Sequence, residues 1–180
     1  MDDGYLHIIT GPMFSSKTTT LINEINILKI YKKNILVINS NKDSRVENNY
    51  IQNHNNCKYK ALKVEELDIS IIPNIDNYDT IIIDEAQFFN KLVEFVNILL
   101  NKKMYVIVAG LNGDANQQKF GYICDLLPIC NKITKLSAVC SICNNGTPGD
   151  FMKKTINNTS KEQIIIGGAD KFITVCRKHL

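Results

Sequence analysis

Residues 11–18, with the sequence GPMFSSKT, lie directly after an apolar run (residues 5–10) and directly before a segment with helical periodicity (residues 18–29). A phosphate-binding loop works between a strand and a helix start, because backbone N–H groups and the positive end of the helix surround the phosphates. The segment therefore predicts a strand–loop–helix unit with a nucleotide phosphate site. An ordinary polar turn between strand and helix is the alternative.

The loop follows the pattern G-x-x-x-x-G-K-[ST] at three of its four fixed positions. In this pattern Lys17 reaches the β and γ oxygens of the nucleotide, and the Thr18 hydroxyl ligates Mg²⁺. Ser16 stands where the second Gly belongs, and we expect it to keep a negative φ, since a side chain disfavours the left-handed region. The candidate phosphate contacts are Gly11, Pro12, Met13, Phe14, Ser15, Ser16, Lys17 and Thr18.

A second candidate site follows the apolar run at residues 81–83, where Asp84 and Glu85 stand side by side. An Asp at the end of a parallel strand lies beside the phosphate loop, so Asp84 is expected to hold Mg²⁺, directly or through water. Glu85 points to the other side of the strand end and is available to a phosphate acceptor. A solvated pair of acids is the alternative.

The remaining pattern predicts an α/β fold with a parallel sheet covered on both faces, because short apolar strands alternate with helices. We expect strands at residues 6–10, 35–39, 80–83 and 105–109, and helices at 18–29, 91–102 and 120–127, the last ended by Pro128. Residues 40–60 are polar and rich in Asn, which predicts a surface loop.

The C-terminal part differs in pattern. Cys140 and Cys143 form a C-x-x-C pair, and Cys176 precedes His179 by three residues. Three thiols and one imidazole form an accepted tetrahedral zinc set. A strand at 133–138, a polar loop at 144–163 and a strand pair at 164–176 then describe a zinc-ribbon-like lobe. We therefore expect a nucleotide-binding domain at residues 1–138 and a zinc-binding lobe with a lid loop at 139–180.

Bulk properties exclude several classes of partner. The net charge of +3 is too small, and the Lys and Arg residues too dispersed, for direct nucleic-acid binding. No apolar run approaches the length of a membrane span, and no leader pattern opens the sequence, so we expect a cytoplasmic protein without membrane contact.

Several motifs in order along the chain resemble the cellular and poxviral type of thymidine kinase. They are GPMFS at 11–15, DEAQFF at 84–89, Phe120-Gly121, KLSAVC at 135–140 and IGGADKF at 166–172. The resemblance implies transfer of the γ-phosphoryl group of ATP, with Mg²⁺, to the 5′-hydroxyl of thymidine and also of deoxyuridine. It further implies a homotetramer that is inhibited by thymidine triphosphate.

Residue roles follow from the same resemblance. Glu85 resembles the family's general base, and Arg45 its arginine near the phosphates. Residues 144–163 resemble the lasso that closes over the base. The positions that resemble nucleoside contacts are Met13, Phe88, Leu111, Phe120, Ile165, Gly167 and Phe172.

The chain departs from the family pattern at four positions, namely Ser16 for Gly, Ala115 for Phe, Phe172 for Tyr and His179 for a fourth Cys. Two other interpretations stay open at this stage. One is a zinc-ribbon module that binds nucleotide, and the other is a degenerate kinase that serves as an ATP-binding scaffold.

Overall fold

The computed structural model describes residues 3–43, 49–53, 55–72, 74–155 and 170–180. Within these residues, six parallel strands form one sheet in the order β5-β2-β6-β7-β1-β8. These strands are β1 (Tyr5–Thr10), β2 (Ile35–Ser40), β5 (Leu62–Val64), β6 (Thr80–Ile83), β7 (Tyr105–Gly110) and β8 (Lys132–Lys135). The parallel α/β architecture predicted from the alternating pattern is thus confirmed.

Two helices cover opposite faces of the sheet. Helix α1 (Lys17–Ile30) buries Leu21 and Ile25 against one face, and α2 (Leu92–Asn101) buries a stripe that includes Phe95 and Leu99 against the other. Because both faces are covered, the central strands are apolar on both sides, which explains their continuous Ile and Val runs. Across the described ranges, no helix has the length and apolarity needed to cross a membrane.

The six smaller strands form three two-stranded sheets outside the main sheet. A hairpin joins β3 (Tyr50–Gln52) and β4 (Lys58–Lys60), β9 (Ala138–Val139) pairs with β10 (Pro148–Gly149), and β11 (Phe151–Lys154) pairs with β12 (Phe172–Val175), all antiparallel. The hydroxyl of Thr174 donates to the carbonyl of Val139 at 2.8 Å and ties the last two sheets together.

Three predicted elements are wrong in detail. The expected loop at 40–60 contains the β3–β4 hairpin. The expected strand at 133–138 divides into β8 and β9. The expected helix at 120–127 is a 3₁₀ helix at Ile123–Ile129 with Pro128 inside it. Gly121, at φ 60°, interrupts the chain between Phe120 and Tyr122, so an α-helix cannot run through it.

The lobe also differs from its prediction. The strand β12 pairs with β11, which lies inside the segment expected to be a loop. The rest of that segment and the glycine turn, residues 156–169, lie outside the described residues.

Candidate active site and metal centre

The carboxyl ends of the parallel strands place the two predicted site segments at one edge of the sheet. Residues 11–16 follow β1, and Asp84 and Glu85 follow β6, with β7 between the two strands. The Thr10 hydroxyl at the end of β1 donates to the carbonyl of Gly110 at the end of β7, at 3.0 Å. This edge is where ligands bind in open α/β sheets.

The loop after β1 is compact and contains non-glycine residues in the left-handed region. Phe14 has φ 61° and Ser16 has φ 64°. The expectation of a negative φ at Ser16 is therefore wrong, because the turn into α1 imposes the geometry that Gly supplies in the common pattern. Gly11 cannot be replaced by a residue with a side chain, since a Cβ there would lie 2.4 Å from the carbonyl oxygen of Leu136.

Two side chains close the loop upon itself. The Lys17 ammonium donates to the carbonyl of Pro12 at 2.6 Å, and the Ser15 hydroxyl donates to the same carbonyl at 2.8 Å. Lys17 is mostly buried, so its charge sits directly under the loop at the start of α1. A buried cation, a helix start and loop N–H groups together favour an anionic group at this position.

The strand β6 delivers two buried carboxylates. Asp84 accepts the N–H of Glu85 through Oδ1 at 2.9 Å, and its Oδ2 lies 3.5 Å from the Thr18 hydroxyl. Glu85 has φ 51° and is 8% exposed. Left-handed backbone at a buried glutamate costs about 1–3 kcal/mol, and such strain is concentrated at functional sites.

A side chain that the sequence analysis missed holds Glu85. The Nε2 atom of Gln87 donates to Oε2 of Glu85 at 2.6 Å, and its Oε1 atom accepts the backbone N–H of Leu111 at 3.0 Å. Leu111 is 24 positions from Gln87 in the chain, so the sequence does not show that the two residues meet. The place of Gln87 in the DEAQFF motif was its signal in the sequence.

Four of the predicted nucleoside contacts form a small apolar cluster beside these carboxylates. Leu111 and Phe120 are buried with Met152, and the cluster is completed by Met13, Phe88 and Ala115. The rings of Phe88 and Phe120 meet edge to face, with centroids 5.9 Å apart. Met152 was not predicted, because β11 lies in the segment that was expected to be a loop.

Three predicted residues cannot be placed at the site. Arg45, Ile165 and Gly167 lie outside the described residues. Among the described residues, Phe172 is buried in β12 opposite Lys154 and is not a member of the Met152 cluster.

The predicted metal ligands do come together. The ligand atoms of Cys140, Cys143, Cys176 and His179 all lie within 4.8 Å of one another. His179 Nδ1 is 3.4–3.6 Å from each of the three sulfurs, and the sulfurs of Cys143 and Cys176 are 3.8 Å apart. Tetrahedral zinc with bonds of about 2.3 Å to sulfur and about 2.0 Å to nitrogen requires edges of about 3.8 and 3.6 Å. The donor set therefore fits zinc in both chemistry and size.

The surrounding backbone supports a thiolate in this cluster. Burial opposes the charge on Cys140, but hydrogen bonds from the backbone of Cys143 and Cys176 outweigh it and lower the pKa of Cys140 to about 5. Lys153 donates to the carbonyls of His179 and Leu180 and holds the turn that carries the imidazole. Such outer contacts orient metal ligands.

Comparison with known proteins gives consistent matches. The family model described as "Thymidine kinase" matches residues 4–180. The chain is 43% identical to the thymidine kinase of Choristoneura biennis entomopoxvirus over 179 residues, covering 96% of this chain and 94% of that protein. It is 38% identical to the thymidine kinase of Myxoma virus (strain Uriarra), covering 99% and 97%. It is also 38% identical to thymidine kinase 1 of Dictyostelium discoideum, covering 97% and 76%.

Proposed function

The chain belongs to the thymidine kinase family, and from this premise we propose that it transfers the γ-phosphoryl group of ATP to the 5′-hydroxyl of thymidine and of deoxyuridine. The observation that carries the proposal is the position of Glu85. The backbone N–H of Glu85 donates to the candidate metal ligand Asp84, and its buried carboxylate accepts from Gln87, which also binds Leu111 of the apolar cluster. A phosphoryl acceptor must reach both a base and the nucleotide phosphates. Glu85 lies between the candidate metal ligand and the apolar cluster, so it is suited to be that base.

The phosphate loop is the proposed ATP site. Its backbone from Gly11 to Ser16 would surround the β and γ phosphates, and Lys17 would exchange its bond to the Pro12 carbonyl for the phosphate oxygens. Arg45 would neutralise charge during transfer, as its place in the motif suggests. Phosphoryl transfer depends on positioning and on charge stabilisation, which these residues are suited to supply.

Mg²⁺ is proposed to bind between Thr18 and Asp84. Both offer oxygen, the ligand that Mg²⁺ prefers, and their oxygens are 3.5 Å apart. Thr18 and Asp84 would hold the ion directly or through water. The ion would neutralise charge on the transferred phosphoryl group.

Glu85 is proposed to accept the proton of the 5′-hydroxyl. The thymine ring would pack among Met13, Phe88, Leu111 and Phe120, with Met152 added from the lobe. Phe172, Ile165 and Gly167 are retained as proposed contacts from the returning part of the lobe. The base edge would be read by backbone groups of the lid, as the resemblance implies.

Zinc is proposed to occupy the Cys140, Cys143, Cys176 and His179 cluster in a structural role, since four protein ligands leave no open position. We keep the division into a nucleotide-binding domain at 1–138 and a zinc-binding lobe at 139–180. Zinc would hold together the chain on both sides of the lid. Three thiols that must stay reduced suit a reducing compartment, and we therefore assign the protein to the cytoplasm.

The family also suggests how the enzyme assembles and is controlled. We propose a homotetramer that is inhibited by thymidine triphosphate, which would occupy the nucleoside pocket and the phosphate site together. No direct contact with nucleic acid is proposed, because the small net charge does not support one.

The test compares three nucleosides at fixed Mg-ATP, with products identified as monophosphates. Burying one methyl group is worth roughly 0.8 kcal/mol, so deoxyuridine should trail thymidine by about fourfold in kcat/KM. Cytosine inverts the donor and acceptor at N3 and position 4, and such a mismatch can cost on the order of 10⁴-fold. Deoxycytidine phosphorylated as well as thymidine would overturn the thymidine assignment. Absence of any monophosphate would favour a nucleotide-binding scaffold.

A further inference from the structure

Gln87 links the two halves of the acceptor site. It is 4% exposed and has a hydrogen-bond partner at each end of its amide, Glu85 after β6 and Leu111 after β7. The orientation of the amide is determined by Leu111, because a backbone N–H only donates and must face the Gln87 oxygen. The Gln87 nitrogen therefore faces the Glu85 carboxylate and donates to it.

The surrounding backbone leaves room for this one side chain. A Cβ at Gly110 would lie 2.4 Å from Oε1 of Gln87 and 2.6 Å from the end of the Ile123 side chain. Gly110 thus provides the space in which the amide reaches Leu111. The amide is held from both sides, and any residue with a side chain at position 110 would push it away from its partners.

The bond to Glu85 has the features of a strong orienting contact. It is 2.6 Å long, buried, and directed to a carboxylate, and charge-assisted bonds of this kind are about twice as strong as neutral ones. Gln87 contacts Oε2 of the Glu85 carboxylate and so restricts its rotation.

We infer that Gln87 is a positioning residue, which directs the Glu85 carboxylate toward the nucleoside hydroxyl. It also fixes the distance between that carboxylate and Leu111, a member of the apolar cluster. This inference rests on the proposed role of Glu85 as general base. Gln87 acts through Glu85 and takes no part in proton transfer. Because Gln87 also binds Leu111, the direction of the Glu85 carboxylate depends on a residue that would line the nucleoside pocket.

The experiment is a double-mutant cycle with Gln87→Met and Glu85→Gln, measuring kcat and KM with Mg-ATP and thymidine. Methionine keeps the length and volume of glutamine and removes both hydrogen bonds. A hydrogen bond to a charged group is worth about 10–100-fold, so Gln87→Met should lower kcat by that factor with KM for thymidine within about threefold. In the Glu85→Gln background the same change should alter kcat by less than about threefold.

Gln52→Met is the matched control, since Gln52 is in the β3–β4 hairpin and donates to exposed Asn56. It should leave kcat and KM unchanged. Gly110→Ala gives a second test that leaves both Gln87 and Glu85 unsubstituted, and it should lower kcat in the same way by displacing the amide. Circular dichroism and thermal unfolding measure the folded fraction of each variant, and each kcat is calculated per folded molecule.

The outcomes separate the two proposals. Near-normal turnover by Glu85→Gln alone would remove Glu85 from the role of base, and with it the function proposed above. A Glu85→Gln enzyme that is severely impaired, together with an equal loss from Gln87→Met in both backgrounds, would overturn only the positioning role. An unchanged kcat in both Gln87→Met and Gly110→Ala would overturn it as well.

Discussion

The Thr18 hydroxyl lies 3.5 Å from Oδ2 of Asp84, which brings the first turn of α1 to the end of β6 across the candidate active site. The two residues are 66 positions apart in the chain. Their contact depends on the sheet order, in which β7 separates β6 from β1, the strand that leads into α1. Two oxygens at this spacing, beside a buried lysine, are suited to a metal–phosphate complex.

The first prediction concerns this pair. Thr18→Val keeps the shape of the side chain and removes the hydroxyl, so the Mg²⁺ concentration for half-maximal activity should rise by at least about tenfold. Thr18→Ser keeps the hydroxyl and should stay close to the unaltered enzyme. A magnesium titration of activity at saturating ATP measures both. Equal Mg²⁺ requirements in the two variants would remove Thr18 from the metal site.

The second prediction concerns the strained loop. Ser16 is in the left-handed region and makes no capping bond with its side chain. Ser16→Gly should relieve strain of roughly 1–2 kcal/mol, less what glycine loses in unfolded-state entropy, for a net gain in unfolding free energy of about 0.5–1 kcal/mol. Ser16→Ala retains the Cβ and should bring no gain. Urea unfolding of the three proteins is the measurement, and a destabilised Ser16→Gly would contradict the account of strain.

The third prediction concerns the metal centre. The purified protein should contain about one zinc per chain, and Cys176→Ser should remove most of it. Loss of zinc should weaken thymidine binding more than ATP binding, because the cluster anchors the lobe and not the phosphate loop. Cys130→Ser is the control, since that thiol donates to the carbonyl of Leu127 and is not a member of the metal cluster. Active protein without metal, shown by elemental analysis, would end this assignment.

The fourth prediction concerns acid stability. His7 is buried in β1 with Nε2 bonded to the Thr134 hydroxyl, and its Nδ1 lies 3.9 Å from the Glu24 carboxylate. Burial first, and then the charge of Lys132, lower the pKa of His7 to about 4. The unfolded chain, with an ordinary histidine pKa of about 6.5, binds the proton first, so stability falls as the pH drops from about 6.5 towards 4.

The size of this loss should be on the order of 3 kcal/mol at pH 4. His7→Gln keeps a polar partner for Thr134 and removes the titration, so its unfolding free energy should depend less on pH over that window. Chemical unfolding of both proteins between pH 4 and 7 measures the difference. Parallel curves for the two proteins would show that His7 is not the group responsible.

The sequence was sufficient for β1, β2, β6 and β7 of the main sheet, because these runs are apolar on both faces and need no long-range information. It missed β5, which is three residues long, and it assigned the strand that became β8 to the lobe. The sequence was also sufficient to predict the metal cluster, because the types of the ligands and their spacing indicate a zinc site. The hairpin at Tyr50–Gln52 and Lys58–Lys60 was missed because its strands are three residues long and mostly polar.

The details of the site depend on contacts between distant segments. The left-handed φ of Ser16 follows from the turn into α1, and a serine at this position does not by itself indicate that geometry. Met152 joins the apolar cluster only because β11 packs against Leu111 and Phe120, which are distant in the chain. Gln87 is a polar residue whose partners are determined by the tertiary structure, so propensity alone does not distinguish it from a surface glutamine.

The most direct test of the central claim is the turnover number of Glu85→Gln with saturating Mg-ATP and thymidine, measured beside the unaltered enzyme. Glutamine has nearly the same shape but accepts no proton. The account predicts that kcat falls by about 10²–10⁴-fold while both substrates still bind with affinities close to those of the unaltered enzyme. Near-normal turnover of Glu85→Gln would contradict it.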